Sequence, residues 1–363
     1  MSTPIRVLLV DDSPVVLTIL KRLLASAPGI EVVGTAHNGR QALDLIPTLQ
    51  PTVICTDYHM PQMNGLEFIQ QVMSRFPRPI LVISTSVHPQ EDESNVFRLL
   101  EAGAVDIFPK PQAGSASDYD RLQQGLINKI KILAGVQVFT RHIGKEKSTP
   151  SKQSSSPTNS TVNHQPSFLE PSVRIPHPTI QAIAISVSTG GPQALHTVLT
   201  QLPKNLSVPV FCVQHISEGF LQGLVTWLGA GCQLPIKIAR AGELPLPGVI
   251  YFAPERYHLD LGTKGQFVYS SSGPVDGHCP SVTVLFQAVA RKYGIGGIGI
   301  LLTGMGRDGA TGMLDIALAG GITIAQDEQS SVVFGMPREA IALGAAKYVL
   351  AIDAIPTLLM KFL

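Results

Sequence analysis

The chain has 363 residues, a formal net charge of +1 and four cysteines. That length allows two domains with full cores, and the charge balance argues against a field that gathers nucleic acid or an anionic membrane. Cys55, Cys212, Cys232 and Cys279 form no CxxC pair, and two of them lie in apolar runs, so free thiols of a reducing compartment are expected, not disulfides or zinc ligands. Arg6, Asp11 and Asp12 within the first strand and turn argue against a signal peptide, and no apolar run approaches a membrane span. A soluble cytoplasmic protein without membrane insertion is expected.

The first 133 residues alternate strand-like and helix-like segments. Ile5–Val10, Glu31–Thr35, Val53–Thr56, Ile80–Ile83 and Val105–Phe108 read as buried strands. Val15–Ser26, Arg40–Leu45, Leu66–Phe76, Glu93–Ala102 and Asp120–Leu133 carry apolar residues at helical spacing. Repeated βα units imply a doubly wound parallel sheet with its chemistry outside the strand C-termini. Asp11 and Asp12 follow the first strand and Asp57 follows the third. Three crowded carboxylates repel one another unless a hard cation sits among them, and oxygen ligands suit Mg²⁺. Ser84 and Lys110, at the ends of strands four and five, could hold a phosphoryl group on Asp57. A helix cap is the simpler role for Asp12 alone, before Ser13-Pro14.

These motifs, Val10-Asp11-Asp12-Ser13, Asp57-Tyr58-His59-Met60-Pro61, Asn64-Gly65, Ser84 and Lys110-Pro111, resemble the receiver domain of bacterial response regulators. The resemblance implies a flavodoxin-like fold and a partner histidine kinase that phosphorylates Asp57. It also implies Mg²⁺ held by Asp11, Asp12, Asp57 and the His59 backbone carbonyl, with Ser84 and Lys110 reading the phosphoryl oxygens. Ile107 falls where many receivers carry a rotating aromatic.

From 134 to 178 the composition changes. Lys145–Gln165 is dense in Ser, Thr, Pro, Asn and Lys and lacks the apolar residues to fold, so a flexible tether is expected, with Phe168, Leu169 and Val173 as isolated apolar points.

Residues 179–363 form the second domain, again with alternating strands and helices. Candidate strands are Ile180–Ile185, Val208–Val213, Ile236–Ala239, Val249–Phe252, Gln266–Tyr269, Ile298–Leu302, Ile322–Ala325 and Tyr348–Ala351. The helices are Gln193–Leu202, Phe220–Leu228, Ser281–Tyr293, Gly309–Leu318, Arg338–Leu343 and Ile355–Phe362. Pro245, Pro247 and Pro254 among short strands suggest an antiparallel insert in a parallel sheet.

Three strand ends carry chemistry here. Ile183 to Val187 runs into Ser188-Thr189-Gly190-Gly191-Pro192 before a helix, a turn that can expose a nucleophile, cradle a phosphate or simply cap the helix. Val210 to Gln214 ends in His215, suited to proton transfer near neutral pH. Leu301-Leu302 runs into a glycine-rich loop ending at Asp308, either a cap or the carboxylate that orients a histidine, with loop N–H groups free for an oxyanion. The stretch is not a GxSxG elbow, since Ser186 occupies the first glycine position.

Ser188-Thr189-Gly190-Gly191, Gln214-His215, Pro280-Ser281-Val282, the Leu302 to Gly309 loop and Val333 to Ala340 together resemble the protein-glutamate methylesterases of bacterial chemotaxis, the CheB family. The resemblance covers both domains and the linker. It implies Ser188 as nucleophile, His215 as general base, Asp308 as its orienting partner, and Thr189 and the Met305 backbone at the site. It further implies methyl-accepting receptor helices as substrate, methanol as product, deamidation of receptor glutamines, no cofactor for the esterase step, and a receiver that covers the site until Asp57 is phosphorylated. Cys279 and Trp227 replace basic residues of the family pattern, which bears on receptor recognition. A non-catalytic second domain that binds a partner or phosphorylated ligand is the alternative.

Overall fold

A computed structural model describes residues 3–85, 93–111, 116–138, 140 and 179–363. The Lys145–Gln165 tract and Phe168, Leu169 and Val173 lie outside the described residues. The first half runs β1 (Ile5–Val10), α1 (Pro14–Ala25), β2 (Ile30–Ala36), α2 (Gly39–Leu49), β3 (Val53–Thr56), α3 (Gly65–Arg75), β4 (Ile80–Ser84), α4 (Glu93–Ala102), β5 (Asp106–Pro109) and α5 (Ala116–Leu133). The strands pair in parallel in the order β2-β1-β3-β4-β5. Strand order reverses between β1 and β3, so the crevice for chemistry opens at their C-terminal ends. Helices on both faces explain why β3 and β4 are buried along their whole length.

Side-chain caps start the early helices. Ser13 Oγ accepts from Val16 N at 3.4 Å, and Asn38 and Asn64 each accept from the third residue of their helix at 2.9 Å. Ser13, not Asp12, is therefore the α1 cap, which leaves the Asp12 carboxylate for the crevice. α2 continues past the expected stop through Pro47 to Leu49. Gly65 is required at the α3 start, because a Cβ there would lie 2.4 Å from the Asp57 carbonyl oxygen.

The second half runs β6 (Ala182–Val187), α6 (Gly191–Leu199), β7 (Val210–Gln214), α7 (Leu221–Gly231), β8 (Ile236–Ile238), β9 (Ile250–Phe252), β10 (His258–Leu261), β11 (Phe267–Ser270), α8 (Val282–Tyr293), β12 (Gly297–Leu301), α9 (Ala310–Leu318), β13 (Ile322–Gln326), α10 (Met336–Ala342), β14 (Tyr348–Leu350) and α11 (Ala354–Phe362). Seven strands form one parallel sheet in the order β14-β13-β12-β6-β7-β9-β8. The antiparallel element is the β10–β11 hairpin, which stands apart from this sheet. β8 and β9, on either side of Pro245 and Pro247, run parallel within it. β10 had no signal in the sequence: its His258-Leu259-Asp260-Leu261 is short and half polar, and Asp260 is turned to Arg291 of α8.

The two sheets share a packed boundary. Trp227 of α7 stacks on Phe97 of α4, ring centroids 5.7 Å apart, and on His196 of α6 at 5.1 Å. Its indole N–H donates to Glu101 at 2.9 Å. The Gln193 side-chain amide donates to the Leu100 and Ala104 carbonyls at the end of α4. Trp227 was expected to bear on receptor recognition; only 7% exposed, it is instead a contact between the two halves. Its ring and its N–H are both used there. Beyond α5, Val136 is also buried and packs with Leu133 and Ile130.

Replacing Trp227 by alanine removes both stacks and the Glu101 bond, so backbone amides of α4 and α7 should exchange with solvent at least about tenfold faster while those of β3 do not change. Native-state hydrogen exchange checks this; unchanged α4 exchange would contradict the anchoring role.

Candidate active site

The Ser188 turn is held from three sides. Ser188 N donates to the Thr303 carbonyl at 3.0 Å, and the Gln214 amide donates to the Ser188 and His215 carbonyls, each at 2.9 Å. Thr303 is fixed in turn by its N–H to Gln326 Oε1 (2.7 Å) and its hydroxyl to the Thr189 carbonyl (3.0 Å). A Cβ on Gly304 would stand 2.7 Å from the Ser188 Cβ, so the glycine loop can press directly on the serine. Gly190 has φ +76°, a left-handed conformation that glycine adopts without strain. The first-turn donors of α6 are partly spent: Gly191 N is bonded to the Ser188 carbonyl at 2.9 Å. That disfavours a phosphate cradle. Ser186 is wholly buried and its hydroxyl has no partner, so Ser188 is the hydroxyl within reach of a ligand. Nothing in the structure explains a serine at 186.

His215 and Asp308 are brought together by β7 and the β12–α9 loop. His215 Nε2 lies 3.0 Å from Asp308 Oδ2. Asp308 does not cap its own helix; Gly309 is the residue at that end, without a side-chain cap. Its carboxylate instead sits on the N-terminus of α8, accepting from Val282 N at 2.8 Å, Thr283 N at 2.9 Å and the Ser281 hydroxyl at 2.7 Å. A helix N-terminus with free N–H groups stabilises an anion. Burial alone would raise the Asp308 pKa, but His215 and the Thr283 and Ser281 donors outweigh it and hold the group far below the ordinary carboxylate range. With Nε2 donating to Asp308, His215 Nδ1 keeps its lone pair, buried and without a partner. Ser188 Oγ is not yet bonded to it, and catalytic contacts of this kind often close only around substrate.

Residues beyond the expected triad support this set. Ser281 N donates to His258 Nδ1 at 3.1 Å, and His258 Nε2 donates to the Gly273 carbonyl at 2.7 Å. The Thr283 hydroxyl accepts from Gly309 N at 2.8 Å, tying α8 back to the aspartate loop. Ser281 and Gln214 fall within the Pro280-Ser281-Val282 and Gln214-His215 motifs, but nothing local in the sequence marks what Ser281, Thr283, Gln214 and His258 do. His278 stacks face to face on His215, centroids 3.8 Å apart and planes 3° from parallel. Burial, and secondarily the neighbouring His215, push His278 down to about 4, so it is neutral at pH 7. His215, His278 and Asp308 offer three nearby ligand atoms. The lone pairs of stacked rings lie in separate parallel planes, however, and the Asp308 oxygens are already engaged, so the trio does not suit a metal.

Ser188, Thr189, His215, His278, Cys279 and Met305 line one cavity. Thr189 and Met305 N–H donate to no carbonyl among the described residues.

In the first half, carboxylate oxygens of Asp11, Asp12 and Asp57 all lie within 4.8 Å of one another. Lys110 Nζ reaches Asp57 at 2.7 Å and Asp11 at 2.9 Å. One cation against three carboxylates leaves a formal charge of about −2 in a half-closed crevice, and an all-oxygen set of this kind fits Mg²⁺. Burial, more than any neighbour, raises the Asp57 pKa, against the pull of Lys110. Ser84 is buried at the same strand ends, its carbonyl accepting from Lys110 N at 2.7 Å. The backbone after Asp57 leads directly to His59, which is exposed, and Ile107 is buried on β5.

The chain matches the response regulator receiver domain family over residues 7–116 and the CheB methylesterase family over residues 183–359. A protein-glutamate methylesterase/protein-glutamine glutaminase of Nitrosospira multiformis is 40% identical over 351 residues, covering 97% of this chain and 95% of that protein. A second protein of that name, from Syntrophus aciditrophicus, is 38% identical with 98% of each chain covered. The crystal structure of the Thermotoga maritima CheB methylesterase catalytic domain is 36% identical, covers 51% of this chain and 99% of its own, and superposes with a TM-score of 0.50. Fold and site together define a response regulator whose second half is an α/β enzyme. The chain belongs to the CheB family of protein-glutamate methylesterases.

A depressed carboxylate stabilises the fold above its unfolded pKa, and that contribution fades as pH falls toward the folded value. Asp308→Asn, which turns an NH₂ toward backbone donors, should cost about 2–3 kcal/mol at pH 7. The gap from wild type should shrink below about pH 4. Urea unfolding at several pH values reads this, and a gap independent of pH would contradict a charge held on α8.

Proposed function

We propose that this chain is a phosphorylation-regulated serine hydrolase that removes methyl groups from glutamate methyl esters of methyl-accepting chemotaxis receptors, and that it also deamidates receptor glutamines. The observation that carries the reading is the His215–Asp308 pair at 3.0 Å, its carboxylate pinned on α8, its Nδ1 without a partner, and His215 and Ser188 lining one cavity. A purely ligand-binding domain has no use for that arrangement.

His215 Nδ1 takes the Ser188 proton as Oγ attacks the ester carbonyl, and Asp308 steadies the imidazolium through Nε2. Thr189 and Met305 N–H groups receive the oxyanion. His215 returns the proton to the departing methanol oxygen. Water, deprotonated by the same nitrogen, then cleaves the acyl-serine and frees the glutamate. With a glutamine side chain the leaving group is ammonia and the steps are otherwise alike. His278 keeps the His215 ring in plane and, being neutral, does not compete for the proton.

In the receiver, Asp57 accepts phosphate from a chemotaxis histidine kinase. Asp11, Asp12, Asp57 and the His59 carbonyl would hold Mg²⁺, whose charge would offset the crowded carboxylates, and Ser84 and Lys110 would contact the phosphoryl oxygens. Residues 1–133 act as this switch, 134–178 as the tether and 179–363 as the catalytic domain, in the cytoplasm. No described helix is long and apolar enough to cross a membrane. The packed boundary at Trp227, with α5 beside the catalytic cavity, supports a receiver that restricts access until Asp57 is modified.

Methanol release from methylated receptor membranes should fall by about 10³-fold or more in Ser188→Ala. It should lose its stimulation by a small phosphodonor, but not its basal rate, in Asp57→Asn. Retained release in Ser188→Ala would sink the catalytic assignment, and retained stimulation in Asp57→Asn would sink the phosphoacceptor assignment.

A further inference from the structure

A short turn after β11 brings a second histidine against the base. Val275 and His278 exchange both backbone hydrogen bonds at 3.0 Å, and the residues between them, Asp276 and Gly277, have φ of +49° and +83°. Positive φ at both central residues is what a type I′ turn requires, and Asp-Gly is a favoured pair there. Arg307, between Met305 and Asp308 in the β12–α9 loop, ties the turn down by donating from Nε to Asp276 Oδ1 at 2.7 Å. A left-handed aspartate costs free energy, and such residues cluster where a side chain has to be fixed. The side chain fixed here is His278, which lines the catalytic cavity with Ser188 and His215.

The turn also fixes the His278 tautomer. Its Nδ1 lies 3.0 Å from the Asp276 carbonyl oxygen. A carbonyl only accepts, so the ring proton is on Nδ1 and the lone pair is on Nε2. No described residue engages Nε2. Burial, and secondarily His215, keep the ring neutral at pH 7, so Nε2 stays an acceptor. Ring stacking would be served by any flat side chain; the locked tautomer adds an acceptor beside the base.

The two leaving groups differ in what they offer that acceptor. As the tetrahedral adduct breaks down, His215 gives its proton to a lone pair of the leaving atom. A carboxamide nitrogen carries two further hydrogens at the tetrahedral angle to that lone pair, whereas a methoxy oxygen carries a methyl group. Two hydrogen bonds of about 3 Å meeting at the tetrahedral angle span about 5 Å. A nitrogen of His278 lies within 4.8 Å of a nitrogen of His215, so one leaving nitrogen can contact both rings. The rings lie in separate parallel planes, which suits a group with hydrogens in two directions.

We propose that His278 is a specificity-determining residue for deamidation, its Nε2 accepting an N–H of the glutamine carboxamide as ammonia departs, a contact that the methyl ester cannot make. This rests on the reading of Ser188 as the nucleophile of a methylesterase and glutaminase. The Ser188 Oγ–acyl bond forms, the carbon–nitrogen bond breaks, and the serine proton, carried by His215, becomes the third hydrogen of ammonia. His278 gives and takes no proton. Water then splits the acyl-serine, so glutamine and water become glutamate and ammonia. A site that bonds a substrate N–H discriminates more sharply than one that only packs against it.

The test uses the full chain with acetyl phosphate and receptor membranes carrying either glutamate methyl esters or glutamines at the same sites. Methanol and ammonia release give kcat/KM for each, the constant that contains the leaving-group step. Lost ring packing, or a smaller share of folded chain, lowers both constants alike, so their ratio within one preparation isolates the acceptor. In His278→Phe, which keeps a stacking ring and no acceptor, the ratio of deamidation to demethylation should fall about 10- to 100-fold. In His278→Gln, which restores an acceptor oxygen without the ring, it should stay within about 3-fold of wild type. An unchanged ratio in His278→Phe overturns the proposal, because the ring then serves both reactions by packing alone. An equal fall in both variants overturns it too, because the acceptor is then irrelevant. A wild-type chain that demethylates without deamidating removes the glutaminase activity and this inference with it. One that does neither removes the methylesterase reading itself.

Discussion

One carboxylate on one helix end organises the second half of this protein. Asp308 accepts from two backbone N–H groups and a hydroxyl at the start of α8, and so stays ionised although buried. Because Asp308 lies in the loop just before α9 while its donors begin α8, the bond set locks two successive crossover helices at one point. Gly312 lets them approach: a Cβ there would lie 2.7 Å from the Thr283 carbonyl oxygen. The same lock fixes the position of His215 Nε2 and hence the side on which Nδ1 is left free. Fold stability and the orientation of the His215 ring are thus the same physical fact here, and a change that loosens one loosens the other.

The two halves are joined by packing, and the joining elements also reach both sites. β5 ends at Pro109, directly before Lys110, which bridges Asp57 and Asp11. Phe108 of the same strand lines the catalytic cavity with Gly125, Asn128 and Ile132 of α5. A change of charge at Asp57 that moves Lys110 therefore acts on a strand that borders Ser188's surroundings. α4, held by Trp227 and Gln193, lies beside it and forms the larger part of the contact. Two-state switching needs such an interface, tight enough to populate one state and small enough to release.

Much of this was legible in the sequence because the strands are buried on both faces. Runs such as Ile183-Ala184-Ile185 read as strands buried on both faces, and residues at their C-terminal ends fall into the crevice by topology. That is why position singled out Asp11, Asp57, Ser188, His215 and Asp308 as candidates, while the roles given to them came from the family resemblance. What escaped detection acts through side-chain geometry. Gln214 looks like any strand-end polar residue until its amide is seen bridging two carbonyls. His258 lies on a short polar strand with no apolar period, and its bond to Ser281 spans 23 residues of chain. Trp227 read as a surface substitution because its partners, Phe97 and Glu101, belong to the other half of the molecule. Long-range pairing leaves no local pattern to read.

The central claim is that Ser188 is a nucleophile activated by the pinned His215–Asp308 pair. The most direct measurement is covalent trapping of the full chain with a fluorophosphonate, followed by mass mapping of the modified peptide. The account predicts one adduct on Ser188, lost in Ser188→Ala and formed far more slowly in His215→Gln. An unlabelled wild-type chain, or a label on Ser186 or another serine, contradicts it.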